Sequence, residues 1–257
     1  MNILILGAGK MGSFFTDLLS FDYDVAVYEP DARKMRFVYN ALRFSSLDEI
    51  KGFAPDMVIN CVTLNATIGA FEGVLPYLGR NCILSDIASV KTGLRDFYKT
   101  AGMKFVSTHP MFGPTFANLG NLQSENAIII KESDGLGKAF FKEIFGKLKL
   151  NVCEYTFDEH DEVVAYSLAI PFASTLVFGS VMKHMDAPGT TFKKHLAIAR
   201  GLSSEDDFLL TEILFNPHTP EQLSRIIGSL EGLKDIIDKK DNVRMKEFLT
   251  MFRKNIE

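Results

Sequence analysis

The sequence predicts an α/β protein in which a doubly wound parallel sheet is followed by an all-helical C-terminal domain. Up to about residue 155, short apolar runs alternate with helix-length segments, which is the order that a parallel sheet covered on both faces requires. After that point the apolar residues follow only helical spacing, with breaks near Pro188, Gly201 and Pro217. We therefore expect two domains, residues 1–155 and residues 156–257.

The composition excludes several classes of protein. The chain has 28 Lys and Arg residues against 32 Asp and Glu residues, so it lacks the basic excess of a nucleic-acid-binding protein. Its 3 cysteines form neither a CxxC pair nor a cysteine–histidine cluster, so no disulfide framework and no metal site is predicted. The N-terminus has no basic leader, and the longest apolar run, residues 168–182, is too short to span a bilayer. We expect a cytoplasmic protein with no membrane partner.

The first predicted strand, residues 2–6, ends in a glycine-rich turn that opens a helix. Gly7, Gly9 and Gly12 form a GxGxxG motif. In such a turn the first glycine allows the tight bend, the second lets a pyrophosphate approach the backbone, and the third lets the helix pack closely. The helix start at Lys10 and Met11 offers free N–H groups to phosphate. These five residues predict a Rossmann-type dinucleotide site; a glycine turn kept only for packing is the alternative.

The second predicted strand, residues 25–28, ends at Glu29. A carboxylate at this distance from the glycine motif can accept hydrogen bonds from the ribose hydroxyls and would repel a 2′-phosphate. Glu29 therefore predicts NAD rather than NADP as the cofactor. Arg33 and Lys34 lie just beyond it, and cations there could instead pair with a 2′-phosphate.

Two later strand ends carry residues suited to chemistry. Four further strands are predicted, over residues 57–62, 82–84, 104–107 and 127–130. Ser89 and Lys91 follow the second of these strands and His109 follows the third, so all three can converge on one nicotinamide at the ligand-binding edge of the sheet. Histidine is suited to take a hydroxyl proton as hydride leaves, and a serine hydroxyl can orient its ring. A histidine before a proline is also an ordinary turn residue, and the spacing alone leaves both interpretations open.

These segments resemble the prephenate dehydrogenase family of tyrosine biosynthesis. The resemblance rests on residues 89–91 (SVK), 109–114 (HPMFGP) and 159–161 (EHD), and it spans essentially the whole chain. It implies a Rossmann-type NAD domain followed by a helical domain that dimerises and closes the site. It further implies oxidative decarboxylation of prephenate to 4-hydroxyphenylpyruvate, with His109 on the ring hydroxyl as the catalytic group and Ser89 holding its imidazole.

The sequence departs from this family where the substrate carboxylate is bound. Many members carry a second histidine and a later arginine, and those positions fall here on Phe172 and Ala197. Arg200 lies one helical turn beyond Ala197 and is predicted to replace the lost cation. Lys91 and His160 are further predicted substrate ligands. In the alternative interpretation Arg200 and Lys91 face solvent, and His160 only bridges the two domains.

The helical half carries an apolar stripe, from Leu223 to Ile237, with the spacing i, i+3, i+4, i+7. About 100 residues cannot bury so much apolar surface in an isolated helical layer, so we predict a homodimer through this half. The core of a bundle within one chain is the alternative.

The sequence is compatible with three functions. The first is a prephenate dehydrogenase or its arogenate-using relative, whose substrates differ only in a keto or amino side chain. The second is another two-domain NAD(P)-dependent dehydrogenase of a small acid. The third is a non-enzymatic dinucleotide-binding regulator, which the missing substrate arginine would allow.

Overall fold

A computed structural model describes residues 1–113 and 121–257, so Pro114, the last residue of the HPMFGP run, lies outside the described residues. Within these ranges one sheet of eight strands has the order β3-β2-β1-β4-β5-β6-β7-β8. The strands are β1 (Asn2–Leu6), β2 (Asp24–Tyr28), β3 (Leu42–Phe44), β4 (Met57–Asn60), β5 (Ile83–Asp86), β6 (Phe105–Pro110), β7 (Asn126–Ile130) and β8 (Asn151–Tyr155). Strands β1 to β6 are parallel, as the sequence predicts for the nucleotide-binding half.

Helices cover both faces of this sheet and then continue alone. Those that connect strands are α1 (Lys10–Leu19), α2 (Asp48–Phe53), α3 (Thr67–Val74), α4 (Leu94–Ala101) and α5 (Gly135–Lys147). Those that follow the sheet are α6 (Phe157–Val164), α7 (Ile170–Val181), α8 (Thr190–Leu202), α9 (Asp207–Leu214), α10 (Thr219–Lys239) and α11 (Asn242–Ile256). Alternate residues of the central strands enter two separate apolar clusters: Ile3 and Ile5 pack with Phe15, whereas Leu4 packs with Phe71. This is the pattern of a sheet buried on both faces.

The sheet differs from the prediction at its edges. β3 and β8 were not predicted, because β3 is only 3 residues long and β8 is half-exposed. β7 runs antiparallel to β6, whereas the sequence predicted parallel strands throughout. This pairing joins Thr108 to Ile129 and His109 to Ile128, so β6 continues to Pro110. His109 therefore lies in the end of a strand and not in the loop that the sequence predicted.

The first helices of the second half form one continuous stretch. α6, a π-helical turn (Ala165–Ala169) and α7 together span Phe157–Val181, which is 25 residues. By length and composition this stretch could cross a membrane, with a mean hydropathy of 1.6 in its most apolar window. The sequence-based expectation considered only the apolar run of residues 168–182, whereas the helix that contains most of this run begins at Phe157. Helices of water-soluble proteins also meet these criteria.

Candidate active site

The turn between β1 and α1 has the geometry that the glycine motif predicts. Gly7 has a φ of +92°, a left-handed conformation that residues with side chains rarely adopt. A Cβ on Gly12 would lie 2.0 Å from the carbonyl oxygen of Gly7, so α1 reaches the turn only because Gly12 has no side chain. A Cβ on Gly9 would meet nothing within 4 Å. The backbone of Gly9 is thus open to a ligand at the start of α1, where no side chain of the described residues caps the helix.

A cleft of about 520 Å³ adjoins this turn, and we call it the nucleotide cleft. Gly7, Gly9 and Glu29 all line it. The Glu29 carboxylate is held in place because it accepts hydrogen bonds from the backbone N–H groups of Ala8 (3.2 Å) and Asp31 (3.0 Å). An oriented carboxylate at the end of β2, beside an open glycine backbone, fits the ribose and pyrophosphate of a dinucleotide.

The two cations beyond Glu29 are arranged differently. The Arg33 guanidinium pairs with the Asp31 carboxylate at 3.0 Å, and this hydrogen bond lowers the pKa of Asp31. The Lys34 ammonium lies 3.9 Å from a Glu29 oxygen. Because both cations are oriented toward carboxylates, they do not form a preorganised site for a 2′-phosphate, and the geometry favours NAD.

A second cavity of about 600 Å³, which we call the histidine cavity, contacts the same turn. It brings together four predicted site residues, Lys10, Met11, Ser89 and His109, and Phe172 forms part of its wall. The charged side chains of its described lining are Lys10, Glu125 and Glu205. The turn thus connects the nucleotide cleft to a cavity that contains a histidine, which is the arrangement that hydride transfer near a base requires.

His109 belongs to a line of three side chains. Its Nδ1 lies 3.0 Å from Nε2 of His160, and Nδ1 of His160 lies 3.1 Å from a carboxylate oxygen of Asp161. The side chains are 4% exposed for His109 and fully buried for His160. Burial holds the pKa of His109 well below its ordinary value, with His160 and Lys91 acting in the same direction. The imidazole of His109 is therefore neutral at neutral pH.

Lys91 lies in a buried polar cluster. Its ammonium donates hydrogen bonds to the Asp86 carboxylate and, at 2.6 Å, to the Thr108 carbonyl, while the Tyr98 hydroxyl donates to Asp86 at 2.7 Å. Burial lowers the pKa of Lys91 and raises the pKa of Tyr98 well above its ordinary value. The cluster fixes the loop after β5 against the end of β6, which carries His109.

The remaining predicted site residues are placed as follows. Ser89 lines the histidine cavity, but among the described residues no hydrogen bond joins it to His109. Arg200 is exposed in the last turn of α8 and is not in the described lining of either cavity. Lys91 and His160 are buried and are not in the described lining of either cavity. The roles of these residues as catalytic or substrate-binding groups stay predictions.

Several residues of the site were not found from the sequence. Asp86 and Tyr98 are brought together by β5 and α4, and no local motif marks their pairing. Glu205 lies between α8 and α9 and reaches the cavity through the fold of the helical half. Asp161 was part of a quoted motif, but its contact with His160 needed the structure. Across the described ranges no group of three or more His, Cys, Asp or Glu side chains could hold a metal ion.

Part of the nucleotide-binding half matches a known protein family. Residues 23–130 match the family described as "Prephenate dehydrogenase, nucleotide-binding domain". This match covers less than half of the chain and lies within its nucleotide-binding half. The predicted resemblance to this family is thereby confirmed.

Curated relatives extend the similarity to the family over most of the chain. The chain is 22% identical over 256 residues to the "Probable arogenate/prephenate dehydrogenase" of Methanocaldococcus jannaschii, covering 93% of this chain and 57% of that protein. It is also 22% identical over 266 residues to the "T-protein" of Haemophilus influenzae, covering 98% of this chain and 62% of that protein. The chain thus spans about six-tenths of the length of these relatives.

Solved structures of the family share the fold over the whole chain. A prephenate dehydrogenase from A. aeolicus, solved with hydroxyphenyl propionate and NAD+, superposes with a TM-score of 0.82 at 21% identity, covering 100% of this chain and 98% of that chain. The Synechocystis arogenate dehydrogenase superposes with a TM-score of 0.78 at 16% identity, covering 99% and 98%. The predicted Rossmann-type sheet with a helical C-terminal half is confirmed.

Proposed function

We propose that this chain is an NAD-dependent dehydrogenase that oxidatively decarboxylates prephenate to 4-hydroxyphenylpyruvate, a reaction of tyrosine biosynthesis. The observation that carries the proposal is a buried, neutral His109 in a cavity that contacts the nucleotide-binding turn. The family match and the names of the relatives support the same activity.

The residues of the nucleotide cleft are suited to hold NAD. The backbone at Gly9 and the start of α1 would bind the pyrophosphate, and Glu29 would accept hydrogen bonds from the ribose hydroxyls. When bound, NAD supplies the acceptor for a hydride. The chain's own contribution is to place the substrate between this acceptor and His109 and to exclude water from both.

His109 would act on the hydroxyl of the substrate ring. As the hydride leaves the carbon that bears this hydroxyl, the O–H bond weakens and Nε2 of His109 takes the proton. The bond from the ring to its carboxylate then breaks, CO2 leaves, and the electron pair of that bond makes the ring aromatic. The oxygen recovers a proton to become the phenol, so the overall reaction releases no proton. His109 holds one only transiently.

Arogenate is the second candidate substrate, and the charges of the histidine cavity favour it. Arogenate carries an ammonium where prephenate carries a keto group. The cavity has two carboxylates in its described lining, Glu125 and Glu205, against one ammonium, Lys10. A carboxylate can pair with the amino group of arogenate but repels the dianion prephenate.

One assay tests the activity. Purified protein with NAD and either prephenate or arogenate should produce NADH, which is followed by its absorbance. His109→Asn should lose at least about a hundredfold in kcat while it binds NAD normally, because only the base is removed. The absence of turnover with both substrates would contradict the proposed activity, and full turnover by His109→Asn would contradict the role of His109.

We further propose that the protein is a cytoplasmic homodimer that assembles through its helical half. Three apolar side chains of α10 support this proposal, because they are exposed by 55% (Ile227), 58% (Leu230) and 56% (Ile237) in the single chain. Apolar surface of this kind, repeated along one helix, is typical of an interface between subunits.

A further inference from the structure

The base of the proposed reaction is linked to a second histidine and a carboxylate that have no role so far. His109 lies at the end of β6, whereas His160 and Asp161 lie in α6. The nitrogen–nitrogen distance of 3.0 Å and the nitrogen–oxygen distance of 3.1 Å are both hydrogen-bond lengths. A continuous chain of hydrogen bonds therefore runs from His109, in the cavity lining, through His160 to the Asp161 carboxylate.

Only one distribution of protons makes all these contacts favourable. A neutral imidazole has one donor nitrogen and one acceptor nitrogen, and an ionised carboxylate only accepts. Nδ1 of His160 must therefore donate to Asp161, which leaves its Nε2 as an acceptor. Nδ1 of His109 then donates to that acceptor, and Nε2 of His109 keeps its lone pair free for the cavity. The carboxylate thus selects the tautomer in which His109 can act as a base.

We propose that His160 and Asp161 are positioning residues that hold His109 in its basic tautomer and stabilise the positive charge it gains when it takes the substrate proton. When the proton reaches Nε2 of His109, the resulting imidazolium donates from Nδ1 to His160, and His160 in turn donates to the Asp161 carboxylate. No bond to carbon changes, and the proton returns to the substrate oxygen on aromatisation. The inference rests on the proposed function of His109.

The surroundings of the pair make this support necessary. Burial disfavours the charged form of both imidazoles, and the buried Lys91 ammonium repels a second positive charge. For His160, the negative charges of the Asp161 and Asp86 carboxylates oppose these effects. Asp86 is already paired with Lys91. Asp161, whose side chain is 28% exposed, is therefore the carboxylate in hydrogen-bond contact with His160.

The kinetic test compares two single-charge changes on the same helix. Asp161→Asn should lower kcat about ten- to a hundredfold, and it should move the acid midpoint of the kcat–pH profile down by about one unit, because the imidazolium loses its counter-charge. The KM values for substrate and NAD should change less than about twofold. Glu162→Gln, which removes an exposed carboxylate next in the chain, should leave both the rate and the midpoint unchanged.

A purely structural role predicts a different outcome. If Asp161 only stabilised α6, Asp161→Asn would lower the melting temperature. The acid midpoint of its kcat–pH profile would then equal the midpoint measured for Glu162→Gln. That result would overturn the proposal, as would a wild-type rate in Asp161→Asn. An unchanged KM with a lowered kcat and a shifted midpoint would support it.

A second measurement does not depend on turnover. The chain has only 5 histidines, so ¹⁵N-histidine spectra of the whole protein can be assigned by single substitutions. We expect both His109 and His160 to carry their proton on Nδ1 at pH 7.5, and we expect Asp161→Asn to change the tautomer of His160. A proton on Nε2 of His109 would overturn the proposal. If neither substrate reacts, the proposed function fails, and these spectra still decide the linkage of the three side chains.

Discussion

At the scale of single residues, two buried histidines make stability depend on pH. In the unfolded chain their pKa values are near 6.5, and burial lowers both in the fold. Below about pH 6.5 and above the folded pKa values, the unfolded chain therefore binds more protons. The free energy of unfolding should then fall as the pH decreases through this window, by at most about 1.4 kcal/mol per pH unit for each histidine.

This pH dependence can be measured by urea unfolding between pH 8 and pH 5. His160→Gln should flatten the curve, since a group that titrates only in the unfolded chain has been removed. His184→Gln, in which the replaced side chain is 90% exposed, is the matched control and should retain the wild-type slope. A wild-type slope in His160→Gln would contradict the expectation.

Glu29 should set the cofactor preference. Glu29→Ser removes the carboxylate that would repel a 2′-phosphate and leaves Lys34 without its nearby partner. We expect the ratio of the NADP to the NAD dissociation constant to fall about tenfold or more, measured by fluorescence titration. Glu72→Ser, an exposed acid on α3 outside the described lining of the cleft, should not change this ratio. A preference for NADP in the wild type would contradict the assignment.

The local geometry that the sequence predicted depends on a residue's own backbone or on its immediate neighbours. Gly7 and Gly12 are identifiable because a turn and a close contact within six residues exclude side chains. Lys91 was also singled out, yet its partners could not be predicted. Its contact with Thr108 depends on how β5 and β6 pair, and that pairing is a property of the whole sheet.

At the scale of elements, two glycines of the unit formed by β1, the turn and α1 should have different effects when they are replaced. One replacement should affect the stability of the fold, and the other should affect the binding of NAD. Gly12→Ala places a methyl group against the Gly7 carbonyl and should destabilise the protein by about 1–3 kcal/mol. Gly9→Ala meets no atom within 4 Å, so it should keep the wild-type melting temperature. The added methyl nevertheless enters the space in which a pyrophosphate would lie, and NAD binding should weaken at least about tenfold. Normal NAD binding by Gly9→Ala would contradict the placement of the phosphates.

The elements that the sequence missed share a physical cause. β3 and β8 have few fully buried residues, so their sequences lack the apolar runs that mark β1 and β4. The direction of β7 could not be predicted, because its apolar sequence suits either direction and only its pairing with β6 decides it. The long helix from Phe157 was underestimated, since its first turns are acidic and only the later ones are apolar.

At the scale of the whole molecule, the exposed face of α10 should hold two chains together. Ile227→Lys with Leu230→Lys places two charges on side chains that are more than half exposed in the single chain, so these changes should not disturb its core. We expect the wild type to be a dimer at micromolar concentration, and the double variant to be a monomer, by size exclusion with light scattering. Phe21→Lys, which changes an 85% exposed residue near the sheet, should remain dimeric. A monomeric wild type would contradict the interface.

The contact between His109 and His160 joins positions 51 residues apart, one in the sheet and the other in the first helix beyond it. A hydrogen bond tolerates only a few tenths of an ångström of stretching. A displacement of α6 relative to β6 by more than this amount would therefore detach His160 from His109. The tautomer of His109 would then depend on how closely α6 is held against the end of β6, through the contact with His160.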